Sequence, residues 1–349
     1  MEKLSIRNFG PIEKADIDLK RITVLIGPQG SGKSTIAKII GAYGDYTKLL
    51  KKDWLADVFI EKLKEDYGLN SYFGRGTKIS LKNANGEFDI DNSAAVTMVN
   101  EEDVPYGYKI PESIYIPAER VLIPLITENS FLFIREKISM PKYITDFGIL
   151  FQNARKNIKE HTIDFLDGVT YSYDDNIDKV KLKNGKVITL SESSNGIQTT
   201  LPLLIAVRYL SERAGAKKGK NISFSIEEPE LSLFPSTQNE LLKFILQLIL
   251  PLDYHLVITT HSPYTLTALN NLIYAFQVGE SKKDVKDIVP ESLWLNPEDV
   301  GAWYIDNGTA RSIIDNEIGQ IKAEEIDKIS DVLNQEYDMI MDKKYEQRK

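Results

Sequence analysis

The sequence predicts an α/β fold in which helices flank a central mixed sheet, on the basis of two observations. Beyond Leu190, helical patterns alternate with short apolar runs typical of buried strands: helix 197–213, strand 221–226, helix 236–249 and strand 254–259. Near the N-terminus, the β-branched run Arg21–Ile26 ends in a glycine, and a helix is predicted from Lys33 to about Tyr43.

The other segments are predicted to surround this core. Residues 1–20 contain two short strands that suggest an N-terminal antiparallel β lobe, and 113–117 is a further short strand. Hairpins are predicted in 70–92 and around Asn184-Gly185, and charged periodic patterns indicate helices in 45–66 and over most of 121–165. From Ile313, apolar residues at roughly helical spacing predict a helical tail that either packs on the core or docks a partner.

We therefore expect a single domain with insertions. Its core is predicted to be built from 1–44 and 187–275. An inserted helical and hairpin segment occupies 45–120, a helical insertion with a hairpin occupies 121–186, and a C-terminal helical extension occupies 276–349.

Composition excludes several classes of function. With 43 basic and 51 acidic residues the formal charge is −8, so nucleic-acid binding would need a local basic patch or a partner. The chain has no cysteine, which excludes disulfides, thiol catalysis and cysteine metal sites. Neither a signal-peptide core nor an apolar run of about 18 residues is present, so we expect a cytoplasmic protein that does not engage a membrane.

The most specific motif follows the strand 21–26 and opens the next helix. Residues 27–34 fit the pattern GxxxxGK[ST], in the strand and helix context that distinguishes a P-loop from a glycine-rich turn. Main-chain N–H groups of such a loop face phosphate oxygens, Lys33 reaches the β- and γ-phosphates, and Ser34 ligates Mg²⁺. The predicted ATP-binding residues are Gly27, Pro28, Gln29, Gly30, Ser31, Gly32, Lys33, Ser34 and Thr35.

A second motif places two carboxylates at the end of the apolar strand 222–226. In the neighbourhood of a P-loop, the first carboxylate helps to hold Mg²⁺ and the second polarises the attacking water as a general base. We therefore assign Glu227 to the metal and Glu228 to catalysis. Without a P-loop, paired acids after a strand would be no more than the polar start of a loop.

Two weaker motifs complete the set. The strand 256–260 ends at His261, whose imidazole could contact the γ-phosphate, whereas a histidine at a strand end is otherwise structural. The run SESSNGIQ, residues 191–198, precedes a helix and could bind phosphate, or could be an ordinary N-cap.

The order of these four motifs resembles that of ABC-type ATPase heads of the SMC, RecF and OLD group, especially the standalone AAA-type ATPases of bacterial defence systems. The opening LSIRNFGPI, the segment IEEPELSLFP and YIPAER at 115–120 are similar to elements of that group. The resemblance is dense in 1–44 and 187–275 and implies a P-loop NTPase fold of the ABC ATPase-head type.

Roles for further residues follow from this resemblance. It implies that Lys33, Glu228 and His261 are catalytic, with His261 as the switch histidine. Ser194, Gly196 and Gln198 would form the signature that closes on the ATP of a second subunit, and Leu231–Pro235 would be the D-loop.

The sequence departs from the family pattern at several positions. Glu227 replaces the usual aspartate, Phe234 replaces a histidine, and SSNGIQ replaces LSGGQ. Either Glu119 or Arg120 stands near the expected Q-loop glutamine.

The leading hypothesis is a regulatory or sensor ATPase that forms an ATP-sandwiched dimer and gates a partner effector, for example a nuclease, in phage defence or DNA maintenance. Only 88 residues follow His261 (349 − 261), and they lack the strand-borne Glu and DxD pattern of a nuclease, which favours an effector supplied in trans.

The alternative is a DNA-binding SMC- or RecF-like ATPase that acts directly in DNA repair. It would use basic residues on the first hairpin or on the insertion: Arg75, Lys78, Lys82, Arg155, Lys156 and Lys159. A transporter subunit is disfavoured by the signature, the insertions and the EEPE strand.

Overall fold

The computed structural model describes residues 2–47, 56–83, 86–91, 112–216, 222–252, 254–279, 282–322 and 334–341. A ten-stranded mixed sheet, ordered β5-β4-β1-β2-β14-β13-β3-β12-β11-β6, forms the centre of the molecule. Its strands are β1 (Glu2–Phe9), β2 (Ile12–Leu19), β3 (Ile22–Ile26), β4 (Phe73–Asn83), β5 (Gly86–Asp91), β6 (Glu112–Ile116), β11 (Ile222–Glu227), β12 (Tyr254–Thr260), β13 (Val300–Asp306) and β14 (Thr309–Ser312). The predicted α/β class is confirmed.

One half of this sheet is parallel. Strands β13, β3, β12, β11 and β6 run side by side in the same direction. All five residues of β3 are buried, as expected for a parallel strand covered on both faces. The helices associated with this half are α1 (Lys33–Thr47), α6 (Asn195–Ala216), α7 (Pro235–Ile249) and α8 (Pro263–Gly279).

The other half is the predicted N-terminal antiparallel lobe. Strand β1 pairs with β2 on one side and with β4 on the other, and β4 continues into the predicted hairpin with β5. Alternate residues of β1, such as Leu4 and Ile6, are fully buried, so one face of the lobe contributes to the core.

The two inserted segments, 45–120 and 121–186, are partly helical and partly β. Their helices are α2 (Ala56–Glu65), α3 (Ile123–Glu128), α4 (Ser130–Arg135) and α5 (Lys142–Asn157). A separate four-stranded sheet follows, ordered β10-β9-β8-β7, with β7 (Glu160–Ile163), β8 (Val169–Asp174), β9 (Ile177–Lys181) and β10 (Val187–Thr189). The predicted second hairpin is thus β9–β10, and the helical prediction for 121–165 is wrong over β7.

Arg155 corrects another expectation for this insertion. Instead of belonging to a basic surface, its side chain is buried and bonds the buried carboxylate of Asp178, which also accepts a hydrogen bond of 2.6 Å from the Tyr171 hydroxyl. Arg155 therefore holds the small sheet against α5 and is not available to DNA.

The predicted C-terminal helical extension is wrong for residues 300–321, which contain four strands, whereas residues 334–341 are helical. Strand β13 lies directly beside β3 in the main sheet, and β14 pairs with it through a turn at Asn307-Gly308. Both turn residues have positive φ, 46° and 71°, which is typical of the Asn-Gly hairpin turn. Two short strands, β15 (Ile314–Asp315) and β16 (Gln320–Ile321), follow. The predicted tail positions Ile326, Ile329 and Leu333 lie outside the described residues.

No helix in the described part of the chain has the length and apolar character that a membrane crossing requires.

Candidate nucleotide site

Four parallel strands deliver polar segments to one edge of the main sheet. In register, Ile26 of β3 lies opposite Thr260 of β12, and Glu227 of β11 lies opposite Thr259. Strand β6 ends beside β11, with Ile116 opposite Ile226. The segments after these strands therefore meet at their carboxyl ends, where open α/β sheets bind ligands.

The P-loop connects β3 to α1, and its glycines are required by their surroundings. Gly27 has φ of 154°, and a Cβ there would lie 2.0 Å from the main-chain oxygen of Ile305 on β13. Gly32 has φ of 104°, and a Cβ would contact Ile12 at 2.8 Å. By contrast, Gly30 has φ of 73° with open space around it. The loop is thus fixed against the sheet at both ends, and its middle is exposed.

Lys33 lies inside this loop. Its side chain is only 4% exposed, and Nζ donates hydrogen bonds to the carbonyl oxygens of Gly27 at 2.8 Å and Pro28 at 2.7 Å. Burial lowers the pKa of Lys33 to about 8, an effect that the charges of Glu228, Glu227 and Glu230 oppose. A buried ammonium with only carbonyl and hydroxyl acceptors is well suited to bind a polyanion.

Glu227 and Ser34 place side-chain oxygen atoms next to Lys33. Glu227 is 2% exposed, and its Oε1 atom has no hydrogen-bond partner among the described residues. Burial raises the pKa of Glu227, whereas Tyr115, Lys38 and the Ser34 hydroxyl lower it. A buried carboxylate oxygen without a partner, beside an exposed hydroxyl, fits Mg²⁺, which binds one or two carboxylates together with substrate phosphates.

Glu228 follows Glu227 with a left-handed backbone, at φ of 40°. Its N–H group donates to the Thr259 carbonyl at 2.9 Å, and its Oε1 atom lies 3.2 Å from His261 Nε2. Burial lowers the pKa of His261, as does the charge of Lys33, while Glu228 opposes both effects. The imidazole is thus biased towards its neutral form.

Glu230 is a site residue that the sequence analysis did not assign. Its buried Oε1 atom accepts hydrogen bonds from the Thr260 hydroxyl and from the His261 N–H at 3.1 Å. Burial raises the pKa of this carboxyl. Glu230 therefore fixes the main chain that carries His261, and the signal in the sequence is the third acid of EEPE.

The two Q-loop candidates have different environments. The Arg120 guanidinium is completely buried and donates to main-chain carbonyls, including those of Glu227 and Glu228 at 2.6 Å each. Glu119 accepts a hydrogen bond of 2.9 Å from Tyr143, and its other oxygen is buried without a partner among the described residues. Arg120 is thus oriented into the protein, which leaves Glu119 as the side chain able to supply a ligand oxygen.

The predicted signature residues lie at the N-terminus of α6. Gly196 packs against the 231–234 loop, because a Cβ there would lie 2.8 Å from the Ser232 oxygen. Gln198 donates to the carbonyls of Ser191 at 2.9 Å and Ser193 at 2.7 Å, so its amide caps its own segment. The Ser194 side chain is exposed.

The structure therefore brings together the P-loop, Glu227, Glu228 and His261, but not the signature. Within the described part of the chain, no hydrogen bond joins residues 194–198 to the P-loop. The signature is instead attached to the 231–234 loop, where Phe234 is 76% exposed.

The chain is similar to a family of ATPase domains and to several proteins of known structure. A family model described as "AAA ATPase domain" matches residues 1–103 and 126–266. The SMC head domain from Thermotoga maritima is 12% identical at a TM-score of 0.41, covering 89% of this chain and 97% of that one. The recombination mediator protein RecF, solved with a nucleotide analogue, is 11% identical at a TM-score of 0.42, with coverages of 89% and 97%. Among curated sequences, no significant match was found.

Proposed function

The chain belongs to the AAA ATPase domain family, and on that premise we propose that it is a regulatory ATPase whose ATP-sandwiched dimer gates a partner effector. The observation that carries the proposal is the cluster of Lys33, Glu228 and His261 at one sheet edge, with Glu228 Oε1 3.2 Å from His261 Nε2. This cluster contains the groups needed to bind a triphosphate and to activate water.

Binding of ATP would begin at the P-loop. Its N–H groups and the N-terminus of α1 favour phosphate oxygens, and Lys33 would exchange its bonds to Gly27 and Pro28 for the β- and γ-phosphates. Ser34 and Glu227 would hold Mg²⁺, which would neutralise part of the phosphate charge. A divalent cation beside Glu227 would also give its buried Oε1 atom, which has no hydrogen-bond partner among the described residues, an opposite charge to interact with.

Hydrolysis would then use Glu228 as the general base. Its carboxylate would accept a proton as water attacks the γ-phosphorus and the bond to the ADP oxygen breaks. Neutral His261 has a single N–H group, which would serve either that carboxylate or the γ-phosphate. Glu230 keeps the main chain of His261 in place. A mechanism of this kind rests mainly on positioning and charge stabilisation, as phosphoryl transfer requires.

A second copy of the chain is proposed because the signature lies apart from the P-loop of its own chain. The loop that carries Ser232 and Phe234 is fixed to Gly196, so both would approach the partner's ATP together. The γ-phosphate would then bridge two chains, and its hydrolysis would release them. Nucleotide-dependent contacts of this kind shift a conformational equilibrium.

An effector in trans, for example a nuclease in phage defence or DNA maintenance, is favoured by the exposed apolar side chains of the insertion: Leu122, Leu125, Leu132, Ile138 and Ile149. Direct DNA binding finds less support. The strand register places Asp91 opposite Lys78 and Glu87 opposite Lys82, and Arg155 is buried. Acidic residues therefore occupy the register positions opposite two of the basic residues that DNA binding would use.

The decisive experiment uses Glu228→Gln, which should bind ATP without hydrolysing it. We expect light scattering to show the mass of the 39.6 kDa chain doubling on addition of ATP and Mg²⁺. Lys33→Ala is the control, because it should stay at the same mass with and without ATP. An unchanged mass for Glu228→Gln would contradict the sandwich model, and a nucleotide-independent dimer of Lys33→Ala would indicate another interface.

The effector is tested with the same pair of variants as bait. We expect an effector protein to be retained by ATP-loaded Glu228→Gln and not by Lys33→Ala. Salt-dependent DNA binding that weakens on Lys78→Glu, without any retained protein, would favour the DNA-acting alternative.

A further inference from the structure

Arg120 is the largest completely buried side chain of the described residues, with 0% exposure. Four of its N–H groups donate to main-chain carbonyls, and none of the four acceptors is a carboxylate. Nε bonds the Thr199 oxygen at 3.1 Å, and one terminal nitrogen bonds the oxygens of Pro117 at 2.9 Å and Glu227 at 2.6 Å. The other terminal nitrogen bonds the Glu228 oxygen at 2.6 Å.

These acceptors belong to three different segments. Pro117 precedes the short 3₁₀ helix Ala118–Leu122 that carries Arg120 itself. Glu227 and Glu228 form the acid pair at the end of β11, and Thr199 lies in the first turns of α6, directly after the signature positions. One planar guanidinium therefore joins the signature helix to the main chain of the catalytic carboxylate.

A buried cation of this kind is costly unless its geometry is well satisfied. Glu230, Glu227, Glu228 and Glu119 stabilise the charge from a distance, in that order of effect. The rigid fork of arginine reaches carbonyls in several directions, whereas a lysine ammonium is a compact point charge with three donors. The arrangement therefore depends on arginine specifically, and removing it would leave buried carbonyls without donors.

A second contact lies beside the first. The Thr199 hydroxyl lies 3.1 Å from the Leu231 carbonyl oxygen, which shares the single hydroxyl proton with the carbonyls of Asn195 and Gly196 as alternative acceptors. Gly196 packs against Ser232. The first turn of α6 and the segment 227–232 are therefore connected at two points. If the signature moves, the backbone that carries Glu228 must move with it, because the two segments are in close-packed contact.

From these contacts we infer that Arg120 is a positioning residue that couples the two nucleotide sites of the dimer. The inference rests on the proposed function: in a sandwich, the α6 N-terminus faces the partner's ATP while Glu228 faces the ATP of its own chain. Arg120 transmits closure of the signature on one nucleotide to the alignment of Glu228 at the other. Hydrolysis at the two sites is consequently cooperative.

The test compares Arg120→Lys with Arg155→Lys, a matched change of a second buried arginine whose partner is Asp178 in the insertion. ATPase rates are measured against ATP concentration, and affinity for a fluorescent non-hydrolysable ATP analogue is measured separately. For wild type we expect a Hill coefficient above 1. For Arg120→Lys we expect it to fall to 1, with kcat reduced about 10- to 100-fold and analogue affinity within about threefold.

Arg155→Lys should keep the wild-type Hill coefficient below its melting temperature. A wild-type Hill coefficient in Arg120→Lys, or a loss of analogue affinity equal to its loss of kcat, would overturn the inference. Hydrolysis by wild type with a Hill coefficient of 1 would overturn it while leaving the proposed ATPase intact. Absence of ATP hydrolysis by wild type would contradict both the inference about Arg120 and the proposed ATPase function.

Folding of Arg120→Lys does not limit the test, because hydrogen exchange on wild type provides a second measurement. Coupling predicts that amides in 199–204 and 228–231 gain protection at the same analogue concentration. Distinct midpoints for the two segments would contradict it, whether or not the variant folds.

Discussion

The carboxylate of Glu228 and the imidazole of His261 lie 3.2 Å apart at the ends of neighbouring parallel strands. Each is fixed through its main chain: Glu228 N–H donates to Thr259, and His261 N–H donates to Glu230. The β11–β12 register therefore fixes how close the main chains of the two residues lie. A base held by a second polar group in this way is the arrangement expected of a general-base site.

His261→Ala should lower kcat by about 100-fold, because it removes the one N–H donor that serves the Glu228 carboxylate or the γ-phosphate. Nucleotide affinity should change little, since the P-loop contacts are untouched. Steady-state kinetics together with a binding titration separate the two effects. His255→Ala, on the same strand β12, is the control and should retain the wild-type kcat. Equal losses in both variants would show that the effect is structural.

Lys33→Ala should abolish the rise in melting temperature that ATP causes in wild type, while the nucleotide-free protein melts at nearly its original temperature. Burial lowers the pKa of Lys33 to about 8, so the folded protein opposes this charge in the absence of phosphate. Thermal denaturation with and without ATP measures both quantities. Gln29→Ala should keep the ATP-induced shift, because Gln29 is exposed and the substitution retains the main-chain N–H group that the loop offers to phosphate. A large destabilisation of nucleotide-free Lys33→Ala would contradict this account.

Local motifs were readable from the sequence, and long-range pairings were not. The P-loop and the acidic strand are contiguous patterns whose conformation depends on nearby residues, and the predicted resemblance to ATPases is confirmed by the family match. The role of Arg120 depends on β6 pairing in parallel with β11, more than 100 residues away along the chain. Nothing local distinguishes an arginine after a short strand from a surface cation.

The C-terminal residues are a second case in which a local sequence pattern did not reveal long-range strand pairing. Isoleucines at roughly helical spacing from Ile313 predicted a helix, but Ile314 and Ile321 lie opposite each other in the paired strands β15 and β16, where tertiary pairing overrides the periodicity. The Asn307-Gly308 dipeptide was the informative signal, of the same kind as Asn184-Gly185, which the sequence analysis did use. Assignment of the site residues to their chemical roles stays a prediction that the variants above test.

Gly196→Ala should prevent ATP-dependent dimerisation without affecting ATP binding. The added methyl would lie 2.8 Å from the main-chain oxygen of Ser232, so α6 and the 231–234 loop must separate. Light scattering in the Glu228→Gln background should show a single-chain mass with ATP present. Gly215→Ala is the matched control in the same helix, since a Cβ there meets open space and alanine favours the helix. Dimerisation by Gly196→Ala would mean that the contact between α6 and the loop is dispensable.

His161 makes the stability of the fold depend on pH at a position remote from the nucleotide site. Its Nδ1 atom lies 2.7 Å from a terminal nitrogen of Arg208, and its ring packs near Phe244. Burial lowers the pKa of His161, and Arg208 lowers it further, while Glu212 and Asp164 oppose them. Since the unfolded chain binds the proton more readily, the free energy of unfolding falls as pH drops through the ordinary histidine value of about 6.5.

The corresponding variant is His161→Gln, which cannot be protonated. Urea denaturation should show that wild type loses more stability than His161→Gln between pH 7.5 and pH 5.5. Above pH 7.5 the free energies of unfolding of the two proteins should differ by a constant amount, because His161 is neutral in both the folded and the unfolded states. This pH range serves as the internal control. A constant difference in the free energy of unfolding down to pH 5.5 would show that the contact with Arg208 does not oppose protonation of His161.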